Sequence, residues 1–123
     1  MSDRSTTVEA LKQLVAQFVA ERDWQQFHTP KNLSMALAIE AAELMEHFQW
    51  LTPEQAAAIP QDPAKLAAVG EELADVVCYA VAMANRLGLD LSETVQAKML
   101  KNIAKYPAAE FCGKWGAGDE GGK

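Results

Sequence analysis

Glycine placement does most to limit what this chain can fold into. Of its seven glycines, five (Gly113, Gly116, Gly118, Gly121 and Gly122) fall in the last eleven residues. The body keeps only Gly70 and Gly88, with prolines at positions 30, 53, 60, 63 and 107. Between them run long stretches rich in Ala, Leu, Glu, Lys and Gln, the strong helix formers. No alternating strand pattern, internal repeat or separate linker interrupts them. The expectation is one all-α domain over residues 1–110 and a flexible glycine-rich tail over 111–123, with no role assigned to Trp115.

Capping signals divide the body. Thr6 with Glu9 resembles a capping box and opens a first helix to about Asp23, with Val8, Leu11, Val15, Phe18 and Val19 as its apolar stripe. Trp24 to Lys31 contains Pro30 and is expected to be a loop. Asn32 then caps a second helix to about Trp50. Thr52, Pro53 and Gln55 start a short third helix that Pro60 closes. Asp62 and Pro63 open a long fourth helix stopped by Gly88, and Asp90 with Glu93 opens a fifth that ends before Pro107. Four substantial helices and one small one make a four-helix-bundle-like architecture.

Composition removes several partners. A net charge of −6 and a pI near 4.8 argue against nucleic acid or an anionic membrane. The longest apolar run, Val76 to Ala84, is far short of the ~20 residues that cross a bilayer. Met1 to Thr7 lacks the basic-then-apolar pattern of a signal peptide. Cys78 and Cys112 are too few for a disulfide framework, and Cys78 sits in an apolar run where packing is expected. Together these predict a cytoplasmic protein.

The acids that break the apolar pattern carry the chemistry. Leu33, Leu37, Leu44 and Leu51 form one stripe of the second helix, and Glu40 and Glu43 project from its middle. Carboxylates within a core stripe are costly unless neutralised. The bland alternative is a stripe whose edge meets solvent. On the fourth helix, LADVVCYAVAMA (73–84) is apolar nearly all round with Asp75 as its only charge, so Asp75 is expected to be kept from open water. Glu72 lies one turn earlier, and no basic residue within a turn matches Asp75. Two inward carboxylate pairs suit a hard divalent cation such as Mg²⁺, with Mn²⁺ as a substitute. His28 and His47 are not spaced with these acids, which argues against zinc or a histidine-bearing di-iron site.

The spacing Glu40-x-x-Glu43, twenty-eight residues, Glu72-x-x-Asp75 resembles the ExxE(12–28)ExxD signature of the MazG-like all-α nucleoside triphosphate pyrophosphohydrolases. The segments ERDWQQFHTPKNL, EAAELMEHFQW, EELADVVCYAVAMA and KMLKNIAKYP resemble its dCTP pyrophosphatase branch, and the likeness covers roughly residues 6–107. The resemblance implies Mg²⁺-dependent cleavage of a nucleoside triphosphate between the α- and β-phosphates, in a homodimer or homotetramer with sites near subunit contacts. Glu43, Glu72 and Asp75 are then ligands, and Glu40 is a fourth ligand or the base that takes the water proton.

Lys98, Asn102 and Lys105 share one face of the fifth helix, and by resemblance Lys98 and Asn102 match the family's phosphate-end residues. An ordinary solvated face is the alternative. Trp24, His28, Trp50 and Tyr79 are the candidate base platform. Positions matching His28, Trp50 and Tyr79 help form the base and sugar pocket in the dCTP-like branch, while Phe27 and Phe48 are left to packing. Two other classes stand beside this one. One is a related pyrophosphohydrolase acting on phosphoribosyl-ATP or dUTP; the other is a non-catalytic helical dimerisation module.

Overall fold

The computed structural model describes residues 1–114, and every described element is helical. In chain order these are α1 (Val8–Glu21), a 3₁₀ turn (Gln25–Phe27), α2 (Pro30–Glu46), α3 (Pro53–Ala57), a 3₁₀ turn (Ile59–Gln61), α4 (Pro63–Leu87), α5 (Leu91–Lys105) and α6 (Ala108–Phe111). The all-α architecture and the four substantial helices stand as expected, and α6 is an addition. Among the described residues no helix is long and apolar enough to cross a membrane. The glycine-rich segment beyond Lys114, with Trp115, lies outside the described residues.

The caps show why these segments start and stop where they do. Asp62 accepts the Lys65 N–H at 3.2 Å and Pro63 fills the first turn of α4. Gly88 ends α4 with φ +67°, a conformation that costs a β-carbon-bearing residue, and Leu89 N–H returns to the Ala84 carbonyl at 2.9 Å. Thr52 and Gln55 form a reciprocal capping box on α3. Asp90 accepts the Glu93 N–H at 2.8 Å to open α5.

Two helix starts differ from expectation. Thr7, not Thr6, caps α1 by accepting the Ala10 N–H at 3.1 Å. Thr29, not Asn32, caps α2 by accepting the Asn32 N–H, with Pro30 in the first turn, where its missing N–H costs nothing. The Asn32 amide instead donates to the Phe27 carbonyl at 3.0 Å, fastening the preceding turn to the helix. α2 also ends at Glu46, short of Trp50.

The chain divides after Leu89 into two compact units. In the first, α4 is the central element: α2 is its main packing partner and α1 lies on another side. Leu33 (2% exposed), Val19, Ile59, Val81, Ala82 and Ala84 are buried there. The Asn85 amide donates to the Lys12 carbonyl at 3.0 Å and Lys12 Nζ to the Leu89 carbonyl at 2.8 Å, tying α1 to the end of α4. The second unit begins at Asp90 and contains α5 and α6. There the rings of Tyr106 and Phe111 meet edge to face at 5.3 Å.

The N-terminal half of α4 is far less covered than its composition predicts. Leu73 and Val77 are about half exposed, and Asp75 and Cys78 are exposed rather than packed away. An apolar run shows that a helix is able to be buried on all sides; it does not supply the neighbours. With α1 and α2 as its helical partners, α4 buries Val81, Ala82 and Ala84, partly covers Val69, Val76, Ala80 and Met83, and leaves Leu66, Leu73 and Val77 about half exposed.

Candidate active site

α2 and α4 bring three carboxylates together. Glu40 and Glu43 lie one turn apart on α2, Glu72 faces them from α4, and one oxygen from each falls within 4.8 Å of the others. Glu40 and Glu72 are half-buried, and one oxygen of each, Oε2, is shut off from solvent with no hydrogen-bond partner. Buried, unpartnered carboxylate oxygens are expensive. Two ionised carboxylates only accept, so Glu40 and Glu43 bond to each other only when one carries a proton. That hydrogen bond, followed by burial and the charges of Glu43, Asp75 and Glu72, pushes the Glu40 pKa up to about 7. Burial and the Glu43 charge raise Glu72 as well, and the nearby His47 works against that rise.

Asp75, expected as the fourth acid of an inward cluster, stands outside the group of three. Its charge still raises Glu40 and Glu72, and its side chain lines the groove between α1 and α4. Asp75 therefore sits at the junction between the acids and that groove.

The groove has a volume of about 460 Å³ and gathers Trp24, His28 and Tyr79, three of the four aromatic candidates. A helix end explains how Trp24 and His28 arrive there. α1 closes with Asp23 in the left-handed region (φ +52°), its N–H bonded to the Ala20 carbonyl, while the Trp24 N–H bonds to the Val19 carbonyl at 3.0 Å. This is a Schellman turn with aspartate at the position usually given to glycine. It turns the chain back at once, and the 3₁₀ turn that follows carries His28 to the same wall. Tyr79 comes from α4, one turn past Asp75. Burial first, then the charges of Glu40 and Asp75, raise its pKa, so the phenol stays protonated and close to the acids.

The remaining candidates are Trp50, Lys98 and Asn102. Trp50 is 85% exposed and does not line the groove. Phe27, left to packing in the sequence, is 59% exposed. Lys98 and Asn102 belong to α5 in the second unit; Lys98 is exposed, and the Asn102 amide faces the Met99 sulfur at 3.9 Å. Periodicity assigned Phe18 to core. It is instead a half-exposed groove wall, edge to face with Trp24 at 5.6 Å and with the Arg22 guanidinium 3.8 Å from its ring centre. No local signal separates a core phenylalanine from a groove wall. Cys78 lines the same groove, and burial followed by the Asp75 charge pushes its thiol up.

The cluster suits a hard cation. It offers oxygen donors only, and two of its oxygens lack any partner that the chain supplies.

Comparison with known proteins supplies the family. A profile described as the MazG-like family matches residues 35–116. The chain is 47% identical over 102 residues to human (Homo sapiens) dCTP pyrophosphatase 1, covering 83% of this chain and 60% of that protein. It is 46% identical over 101 residues to the protein of the same name from Bos taurus, covering 82% and 60%. The chain thus spans about 60% of the length of the curated relatives it matches. Among solved structures, a pyrophosphatase from Archaeoglobus fulgidus superposes with a TM-score of 0.73 at 34% identity, covering 87% of this chain and 98% of that one.

Proposed function

This chain belongs to the MazG-like family, and we propose that it hydrolyses pyrimidine deoxynucleoside triphosphates of the dCTP type to monophosphate and pyrophosphate. The observation that carries the proposal is the meeting of Glu40, Glu43 and Glu72 beside a groove that holds Trp24, His28 and Tyr79. The relatives' names point to the same substrate class.

Glu40, Glu43, Glu72 and Asp75 would hold Mg²⁺, or Mn²⁺ in its place. When bound, the cation supplies neutralisation of the triphosphate and polarisation of the α-phosphoryl centre. Glu40, when not itself a ligand, would accept the proton of the attacking water. The bond from the α-phosphorus to the bridging oxygen then breaks and pyrophosphate leaves. Trp24 and Tyr79 offer faces for the base to stack on, and His28 offers a ring N–H or acceptor to its edge. Lys98 and Asn102 would neutralise the phosphate end. Trp50, exposed on one copy, would act in the substrate site only after assembly. Such removal of nucleotides from the pool takes place in the cytoplasm, a setting that the free thiols of Cys78 and Cys112 accord with.

Hydrolysis in ¹⁸O-water, followed by ³¹P NMR, tests the reaction. We expect one label in the monophosphate, unlabelled pyrophosphate and no diphosphate. Stepwise release of orthophosphate would sink the proposal.

The active species is a homodimer or homotetramer. Within the first unit α4 leaves Leu73 and Val77 about half exposed, and in the second unit α5 exposes Val95, Met99, Leu100 and Ile103. Apolar surface of that extent on so small a chain is usually covered by another subunit. Light scattering should return at least twice the chain mass of 13.4 kDa, and a clean monomer at micromolar concentration would contradict the assembly.

A further inference from the structure

The site-facing side of α4 carries more than acids and a tyrosine. Glu72, Asp75, Tyr79, Ala82 and Arg86 follow one another in steps of three and four, so they share one line along the helix. That line is about 21 Å long at the rise of an α-helix. Its charge changes sign on the way, from two carboxylates, through a phenol and a methyl group, to a guanidinium in the last turn.

A second compartment of about 320 Å³ adjoins the groove beside this line, with Val15, Val19, His28 and Ala82 lining both. Beyond His28 its polar lining is Gln25, Asn85 and Arg86, and no carboxylate contributes to it. In a chain with net charge −6, that is a local reversal of sign. Asn85 is already engaged, its amide donating to the Lys12 carbonyl at 3.0 Å, which holds α1 and α4 together. The side chains of Arg86, Gln25 and His28 have no hydrogen bond or ion pair among the described residues, where the one ion pair joins Arg22 to Glu21. The compartment therefore combines a tied frame with three uncommitted donors.

We propose that this compartment is an anion subsite adjoining the base groove. It equips the protein for nucleoside triphosphates whose pyrimidine carries a carboxylate at C5. The proposal rests on the functional reading above, with the triphosphate at the acids and the base against Tyr79. Arg86 then lies about 10.5 Å past Tyr79 along the axis, a span that a pyrimidine with a one-carbon substituent and an extended arginine side chain cover together. A guanidinium matches a carboxylate with two parallel hydrogen bonds, and Gln25 and His28 add donors beside it. A base without the substituent uses the first compartment alone. The competing role for Arg86 is a cation that complements the C-terminal end of the α4 dipole.

Steady-state kinetics of the full chain with Mg²⁺ separate the two, using dCTP, its 5-carboxylate analogue and the neutral 5-carboxamide as isostere. Arg86 is exposed, so its replacement opens no cavity. The wild type is expected to have a KM for the carboxylate no higher than for the carboxamide. Arg86→Gln should raise KM for the carboxylate alone by about tenfold or more, with kcat little changed, and Arg86→Lys should recover part of the loss. Equal effects of Arg86→Gln on all three substrates would overturn the proposal, as would a melting-temperature loss without discrimination, which is the dipole role. A wild type that rejects the carboxylate as strongly as the variant would overturn it too. If dCTP itself is not turned over, the functional reading falls and the subsite with it; turnover of dCTP without discrimination through Arg86 removes the subsite only.

Discussion

Toward α2, α4 buries carboxylate oxygens that have no hydrogen-bond partner; toward α1, it leaves Phe18, Trp24 and Cys78 with their surfaces uncovered. An ordinary core does neither, since it pairs its polar atoms and covers its apolar ones. The first region lacks positive charge and the second lacks apolar contact. A metal-bound nucleotide brings both, as a cation with phosphates at one end and an aromatic ring at the other. The two opposite departures from good packing meet at Asp75 and Tyr79, and the metal-bound nucleotide proposed above would satisfy both.

Substitutions in the two regions should fail differently. Asp75→Asn and Glu43→Gln each remove a charge that the cation needs while keeping shape, and should lower kcat by about a thousandfold or more, the scale of several kcal/mol of transition-state charge stabilisation. Tyr79→Ala and Trp24→Ala should act mainly on KM, by about tenfold, the scale of one base-stacking contact. Full kinetics on the four variants check the contrast. Comparable kcat losses in both regions, or an active Asp75→Asn, would break it.

A smaller effect concerns pH. Glu40 titrates near 7 in the folded, cation-free protein against an ordinary value of 4.5. Between those values the folded state holds more protons than the unfolded one, so stability falls as pH rises through that window. Without Mg²⁺ the melting temperature should decline from pH 4.5 to 7, and Glu40→Gln should flatten the decline. A slope that is identical in the variant would assign it to other groups.

The two regions also differ in how far local sequence reaches. The start and end of α4 were legible because Asp62-Pro63 and Gly88 act through backbone geometry that hardly depends on the rest of the fold. At α2, Pro30 marks a first turn as well as it marks a loop, and only the Thr29 hydroxyl bond to Asn32 decides between them. The pairing of Glu40 and Glu43 followed from a three-residue step. Their meeting with Glu72 depends on the register of α2 against α4, which a pattern that aims both pairs inward does not set. Asp75 shows the limit most clearly. Its apolar neighbours implied burial, yet exposure is decided by how many other elements the chain has to lay against that helix. The Schellman turn at Asp23 was invisible for a related reason, because aspartate enters the left-handed region less readily than the glycine that would have announced it.

The proposed site requires that the acids of α2 and α4 repel one another in the free protein and are relieved by a divalent cation. Thermal melts of the wild type and Glu72→Gln, each with chelator and over a Mg²⁺ series, test it most directly. The wild type should melt at steadily higher temperature as Mg²⁺ rises, as mass action requires of a ligand that binds only the folded state. Glu72→Gln should melt in chelator at least as high as the wild type and lose most of the Mg²⁺ response. A wild type indifferent to Mg²⁺, or a Glu72→Gln protein that is less stable in chelator, would contradict a cation site at these acids.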